Sequence, residues 1–124
     1  MPIAVAQWTL DVDDVQREAE FWSAALGYPA EPARADSVHL HPPDGGSGPS
    51  VWLQPTHDPK RTKNRLHLDF GTADPAAEVN RLLQLGARPC DVGQTGTEGF
   101  VVLADPEGNE FCVFTEPHPE LTGR

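Results

Sequence analysis

QWTLDVDDVQREAEFWSAALG, residues 7–27, reads as a strand that runs into a capped helix and stops at a glycine. Trp8, Leu10 and Val12 alternate with Gln7, Thr9 and Asp11, the period-2 pattern of a strand with one buried face; its start is read at Ile3. Asp13 is the expected N-cap, with Gln16 as its reciprocal partner. Val15, Ala19, Trp22 and Leu26 fall at helical spacing, and Gly27 suits a left-handed stop. The same plan returns further along. QWTLDVDD (7–14) falls on HLDFGTAD (67–74) at an offset of 60, Leu26-Gly27 on Leu85-Gly86 at 59, and VWLQ (51–54) on FCVF (111–114) at 60. A strand, a helix, a terminal glycine and a final strand recurring in step mark an internal duplication.

Each half is therefore expected to contain a strand, a helix and about three further strands. The first half adds strands at Ser37–His41 and Val51–Gln54, separated by the turn-forming PPDGGSGPS, with an irregular Tyr28–Asp36 containing Pro29 and Pro32. The second half has a strand over Leu66–Gly71 and a helix started by Asp74-Pro75 and stopped by Gly86, with Val79, Leu82, Leu83 and Ala76 buried. A weak strand at Cys90–Val92, a firmer one at Gly99–Ala104, the DPEGN turn and a last strand at Glu110–Phe114 follow. The fold expected is α+β: two βαβββ modules, about 3–55 and 65–115, forming an incomplete barrel with a central cleft and helices outside, then a loose tail over 116–124.

A chain of 124 residues, 38% hydrophobic, suits one domain. Its formal charge of -10 disfavours generic nucleic-acid binding. No apolar run can span a membrane, the N-terminal segment lacks the pattern of a signal peptide, and Cys90 and Cys112 form no CxxC pair. A cytoplasmic protein with two free thiols is the plainer reading.

Strand parity nominates the site. Gln7, His67, Asp69, Trp52, Gln54, Cys112 and Phe114 have the parity opposite to the helix-facing residues and are expected to share one hollow. Trp52 and Phe114 offer surface for a planar organic molecule, and Gln7 and Gln54 offer amides. His67 and Asp69 form a candidate acid–base pair, although positions i and i+2 lie about 6.5–7 Å apart by backbone rise. Cys112 is a nucleophile only if its pKa is lowered, and otherwise a small buried hydrophobe. Lys60, Arg61, Lys63 and Arg65 form the one dense basic run, either attracting a small anion or pairing with acidic residues.

LDVDD with FWSAALGY (21–28), KNRLHLDF (63–70) and DPEGNEFCVF (105–114) together resemble the vicinal-oxygen-chelate superfamily, the glyoxalase/bleomycin-resistance fold, and within it the bacterial glyoxalase-like domain. The resemblance implies a homodimer and a small-molecule ligand. It leaves the reaction open, because the superfamily holds isomerases, dioxygenases, epimerases, thiol transferases and non-catalytic drug-binding proteins. In its metal-using members the ligand positions correspond to Gln7, Trp52, His67 and Cys112, of which His67 alone carries the expected ligand. The leading expectation is a protein without metal or other cofactor, binding a small, anionic or planar organic molecule, with His67 and Asp69 transferring a proton in an isomerase or lyase reaction. Lys63 and Arg65 would draw the anion. The alternatives are a divalent-metal-dependent lyase or dioxygenase, and a non-catalytic drug-binding or structural protein.

Overall fold

The computed structural model describes residues 2–44, 46 and 48–118. It divides into two compact units between Pro59 and Lys60. The expected loose tail lies, for residues 119–124, outside the described residues.

In the first unit the elements are β1 (Gln7–Val12), α1 (Val15–Leu26), β2 (Ala30–Pro32), a 3-10 turn (Arg34–Asp36), β3 (Val38–Leu40) and β4 (Ser50–Pro55). They build a four-stranded sheet ordered β1-β4-β3-β2, with β1 and β4 parallel and the other pairs antiparallel. β1 starts at Gln7 rather than Ile3 because its partner β4 begins at Ser50, which pairs with Gln7. The helix cap is Asp14, not Asp13: its Oδ1 accepts the Arg17 N–H at 3.1 Å. Gly27 ends α1 with φ 71°, a conformation that costs an L-residue steric strain. The helix covers β3 and β4. Val12, Ala19, Trp22, Leu40, Val51 and Leu53 are buried there. The apolar stripe also hides two residues outside the expected set, Phe21 and Glu18, the latter accepting the Trp22 indole N–H at 3.1 Å. β2 was not expected, since Pro29 precedes it and Pro32 is its last residue. It is tolerated because it is an edge strand, where the missing Pro32 N–H breaks no inner ladder.

In the second unit β5 (Asp69–Phe70), α2 (Pro75–Leu85), β6 (Arg88–Pro89), β7 (Phe100–Ala104) and β8 (Glu110–Phe114) repeat the plan, with order β5-β8-β7-β6 and β5 parallel to β8. Asp74 caps α2 by accepting the Ala77 N–H, as Asp14 does for α1. Leu82 is fully covered on α2, Val79 and Leu83 are half-buried and Ala76 is exposed, contrary to its expected burial. β5 is far shorter than the expected Leu66–Gly71. The Cys112 N–H still reaches the Leu68 carbonyl at 3.0 Å, but the Asn64 N–H is committed to the Glu110 carboxylate, which draws the preceding chain off the ladder. The weak strand falls at Arg88–Pro89 instead of Cys90–Val92, because the Gln94 side chain binds the Val92 N–H and the Cys90 carbonyl and bends the chain there. The DPEGN turn closes around buried Asp105, whose carboxylate accepts from the Glu107 and Asn109 N–H groups and the Asn109 amide. The fold is thus α+β with two βαβββ modules, and neither sheet closes into a barrel.

Candidate functional site

In the first unit strand alternation sorts the β4 side chains as expected. In β4, Val51 and Leu53 are buried on the helix side while Trp52 and Gln54 take the other face. Gln7, Trp52 and Gln54 line one hollow of about 430 Å³, together with Arg34 and Ser37. His39, cross-strand partner of Trp52, stacks on its indole with ring centroids 4.6 Å apart and an interplanar angle of 21°. His41 lies 3.1 Å from the Glu31 carboxylate, an ion-pair distance without hydrogen-bond alignment.

The second unit brings His67, Asp69 and Cys112 together. Parallel pairing sets Asp69 beside Cys112, and His67 precedes β5 rather than lying in it. The His67 and Asp69 side chains lean together until Nδ1 and Oδ1 are 2.8 Å apart. A carboxylate can only accept, so the proton of that bond sits on Nδ1, and in the neutral imidazole the Nε2 lone pair is then the one available for chemistry. Burial foremost, then the charge and hydrogen bond of Asp69, push the Cys112 thiol up to about 11, against a smaller opposing pull from the Lys63 ammonium. Cys112 is therefore a thiol at neutral pH, its proton directed to Asp69, and not an activated nucleophile.

The basic run divides. Lys60 is bound internally, its ammonium 2.8 Å from the buried Glu110 carboxylate, and it also donates to the Thr62 carbonyl. Burial alone would raise the Glu110 carboxyl, but the Lys60 ammonium and the Asn64 amide outweigh it and hold the group below its ordinary value. Lys63 and Arg65 remain exposed, Lys63 near enough to Cys112 for its charge to be felt. Phe114 does not join the expected hollow: as the exposed last residue of β8 it lies at the strand end and lines a different hollow with α2, beside Pro75, Ala76, Val79 and Val101. Sequence reasoning missed Arg34, a lone arginine in a segment read as irregular, and it missed the Glu110 clip, since a glutamate two residues from Cys112 gives no sign that it faces a lysine fifty positions earlier.

The superfamily's metal can be tested against these donors. Trp52 cannot ligate. His67, Asp69 and Cys112 offer one nitrogen, one oxygen and one sulfur, all within 4.8 Å of one another. That trio is too soft for manganese or iron, which prefer carboxylate and imidazole, but its donor types fit zinc.

The profile of the glyoxalase-like domain family matches residues 7–114. Among solved structures, a member of the glyoxalase/bleomycin resistance protein/dioxygenase superfamily from Sphaerobacter thermophilus is 21% identical, with 93% of this chain and 98% of that chain covered and a TM-score of 0.66. A glyoxalase/bleomycin resistance protein from Albidiferax ferrireducens is 20% identical, covering 90% and 98%, with a TM-score of 0.66. The fosfomycin resistance protein FosX from Mesorhizobium loti is 14% identical, covering 97% of each chain, with a TM-score of 0.69. At these identities the structures share a fold and carry no activity across. None of the curated proteins matches the sequence.

Proposed function

The chain belongs to the glyoxalase-like domain family of the vicinal-oxygen-chelate superfamily, and from that premise we propose that it binds a small organic molecule and transfers a proton with His67, without help from a metal. The observation that carries this reading is the 2.8 Å contact between His67 Nδ1 and Asp69 Oδ1. Asp69 holds the imidazole in one tautomer and stabilises the imidazolium that forms when Nε2 takes a proton, as for a carbon acid undergoing isomerisation or elimination. Cys112 contributes an S–H donor to Asp69 and keeps the carboxylate turned toward the ring. The superfamily's homodimer belongs to the same reading, and sedimentation equilibrium measures it.

The test is ligand-detected NMR against a library of small organic acids and ketones, followed by deuterium uptake from D₂O into each hit. Uptake is expected to fall about 10²- to 10⁴-fold in His67→Ala, the usual worth of a positioned general base. Hits that bind and exchange no proton, or exchange equally in His67→Ala, overturn the catalytic part.

A second reading has its own observation, the donor trio within 4.8 Å. His67, Asp69 and Cys112 would hold a zinc ion, which supplies Lewis-acid polarisation of a substrate oxygen when bound. Chelator-free purification and elemental analysis separate the two. Stoichiometric metal that disappears in His67→Ala, with a thiolate–cobalt charge-transfer band in the Co(II)-substituted protein, favours the second reading and refutes the first.

A further inference from the structure

We infer that the hollow of the first unit is a carboxylate-binding site for a planar organic acid, with Arg34 as its cation; this rests on the reading of the chain as a small-molecule binder and names the ligand class. The hollow of about 430 Å³ falls within the range of small-molecule sites, and its wall combines one guanidinium, two amides, a hydroxyl and an indole. A large aromatic surface beside a few convergent polar groups is the lining that recognises a flat, singly charged molecule.

Arg34 is the informative member. The chain has 19 acidic and nine basic residues, so a carboxylate partner is easily had. Lys60 and Arg81 each have one, whereas Arg34, like Arg17, Arg61, Lys63, Arg65 and Arg88, has none among the described residues and is set apart from them by its place in the wall of the hollow. Among the described residues the Arg34 side chain makes neither an ion pair nor a hydrogen bond. A guanidinium presents parallel donors that match the two oxygens of a carboxylate.

Its backbone setting is unusual. Ala35 and Asp36, the next two residues, both have left-handed φ values, 57° and 61°. The turn is clamped by the Ala33 N–H on the Ser37 carbonyl at 2.8 Å and the Ser37 N–H on the Arg34 carbonyl at 3.2 Å. Strained non-glycine residues persist where the surroundings over-determine them, often at ligand clamps. Here the strain tightens the turn that sets Arg34 and Ala35 into the wall.

The remaining groups complete the match. The Gln7 amide nitrogen is engaged with Thr9 Oγ1 at 3.3 Å, while the Gln54 amide, without a partner among the described residues, has its N–H donors open for a carboxylate oxygen. His39 is not part of the wall, so its stacking backs the Trp52 indole and holds it rigid for a second planar ring.

The experiment is calorimetric titration of the full chain with 2-naphthoate and its neutral isostere 2-naphthamide, in wild type, Arg34→Ala, Arg34→Lys and Trp52→Ala. Wild type is expected to prefer naphthoate. Arg34→Ala should weaken naphthoate about 10- to 100-fold, the worth of a charged hydrogen-bonded pair, and leave naphthamide unchanged. Arg34→Lys should recover part of the loss, which separates lost charge from lost folding, and Trp52→Ala should weaken both ligands. Equal binding of the two ligands to wild type, both lost in Trp52→Ala, overturns the role of Arg34 and keeps the small-molecule reading. Binding of neither ligand overturns the planar-acid site, while the deuterium-uptake assay still decides the broader reading. Inorganic phosphate competing as well as naphthoate reduces the site to a bare cation and also overturns the proposal.

Discussion

Replacing Glu110 by glutamine tests whether the clip on the 60–64 segment is a stabilising device. The carboxylate is 8% exposed and the Lys60 side chain 20%, so the pair lies between an exposed ion pair and a fully buried one. Exposed pairs contribute about 0–1 kcal/mol, and breaking a buried pair costs about 3–5 kcal/mol. Glutamine keeps the shape and can still accept from the Asn64 N–H, so the loss is that of charge against the Lys60 ammonium at 2.8 Å, about 2 kcal/mol. For a chain of this length that corresponds to a fall in Tm of roughly 6–10 °C. The pH dependence carries the sign. Because the folded-state pKa of Glu110 is depressed, its contribution is complete above the ordinary carboxyl value of 4.5 and is lost as pH falls through the lower folded-state value. Urea unfolding of wild type and variant from pH 7 to pH 3 should give stability curves that converge toward the acid end. A difference under about 0.5 kcal/mol at pH 7, the usual range for an inconsequential surface change, or one that stays constant across the range, refutes the reasoning.

Three other outcomes are expected. At pH 8 a thiol reagent should label half-exposed Cys90 before Cys112, and Asp69→Asn should speed labelling of Cys112 by removing a charge that raises its pKa, which peptide mass spectrometry measures. Asp105→Ala should cost about 2–4 kcal/mol by chemical denaturation, because it leaves the Glu107 and Asn109 N–H groups of the turn without an acceptor. Gly71→Ala should release the segment at His118, since an added Cβ would lie 2.4 Å from the imidazole, and hydrogen exchange at His118, whose N–H is bonded to the Thr72 carbonyl, should accelerate.

The duplication was legible because its signals are local. Alternation in residues 7–12, the aspartate cap at 74 and the stops at Gly27 and Gly86 each act within a few positions, while the first cap was read one residue early, at Asp13 instead of Asp14, because the two adjacent aspartates are alike in sequence. Gly-Tyr-Pro and the following prolines hid β2, because a three-residue edge strand is decided by the neighbouring β3 and not by its own residues. The side-chain bonds of Glu110 and Gln94 that shortened β5 and displaced β6 are likewise tertiary or loop-specific. At the site, parity put Gln7, Trp52 and Gln54 on one wall and Asp69 next to Cys112. Backbone rise alone made the His67–Asp69 contact look marginal, since it ignores how far two side chains can lean. Arg34 carried no sequence signal, because what distinguishes it is the left-handed pair that follows and its place in the wall of the hollow.

The parallel pairing inside each module also bears on how the chain acquires its structure. Gln7 meets Ser50 and Asp69 meets Cys112, each contact joining residues 43 positions apart. The antiparallel β3–β4 and β7–β8 hairpins need only their intervening turns. Closing a loop of that length carries an entropy cost of about 3 kcal/mol beyond a constant, so the hairpins and helices are expected to form first and the parallel strands to dock late. Destabilising changes in β1 or β5 should then chiefly accelerate unfolding, whereas those in β7 or β8 should slow refolding.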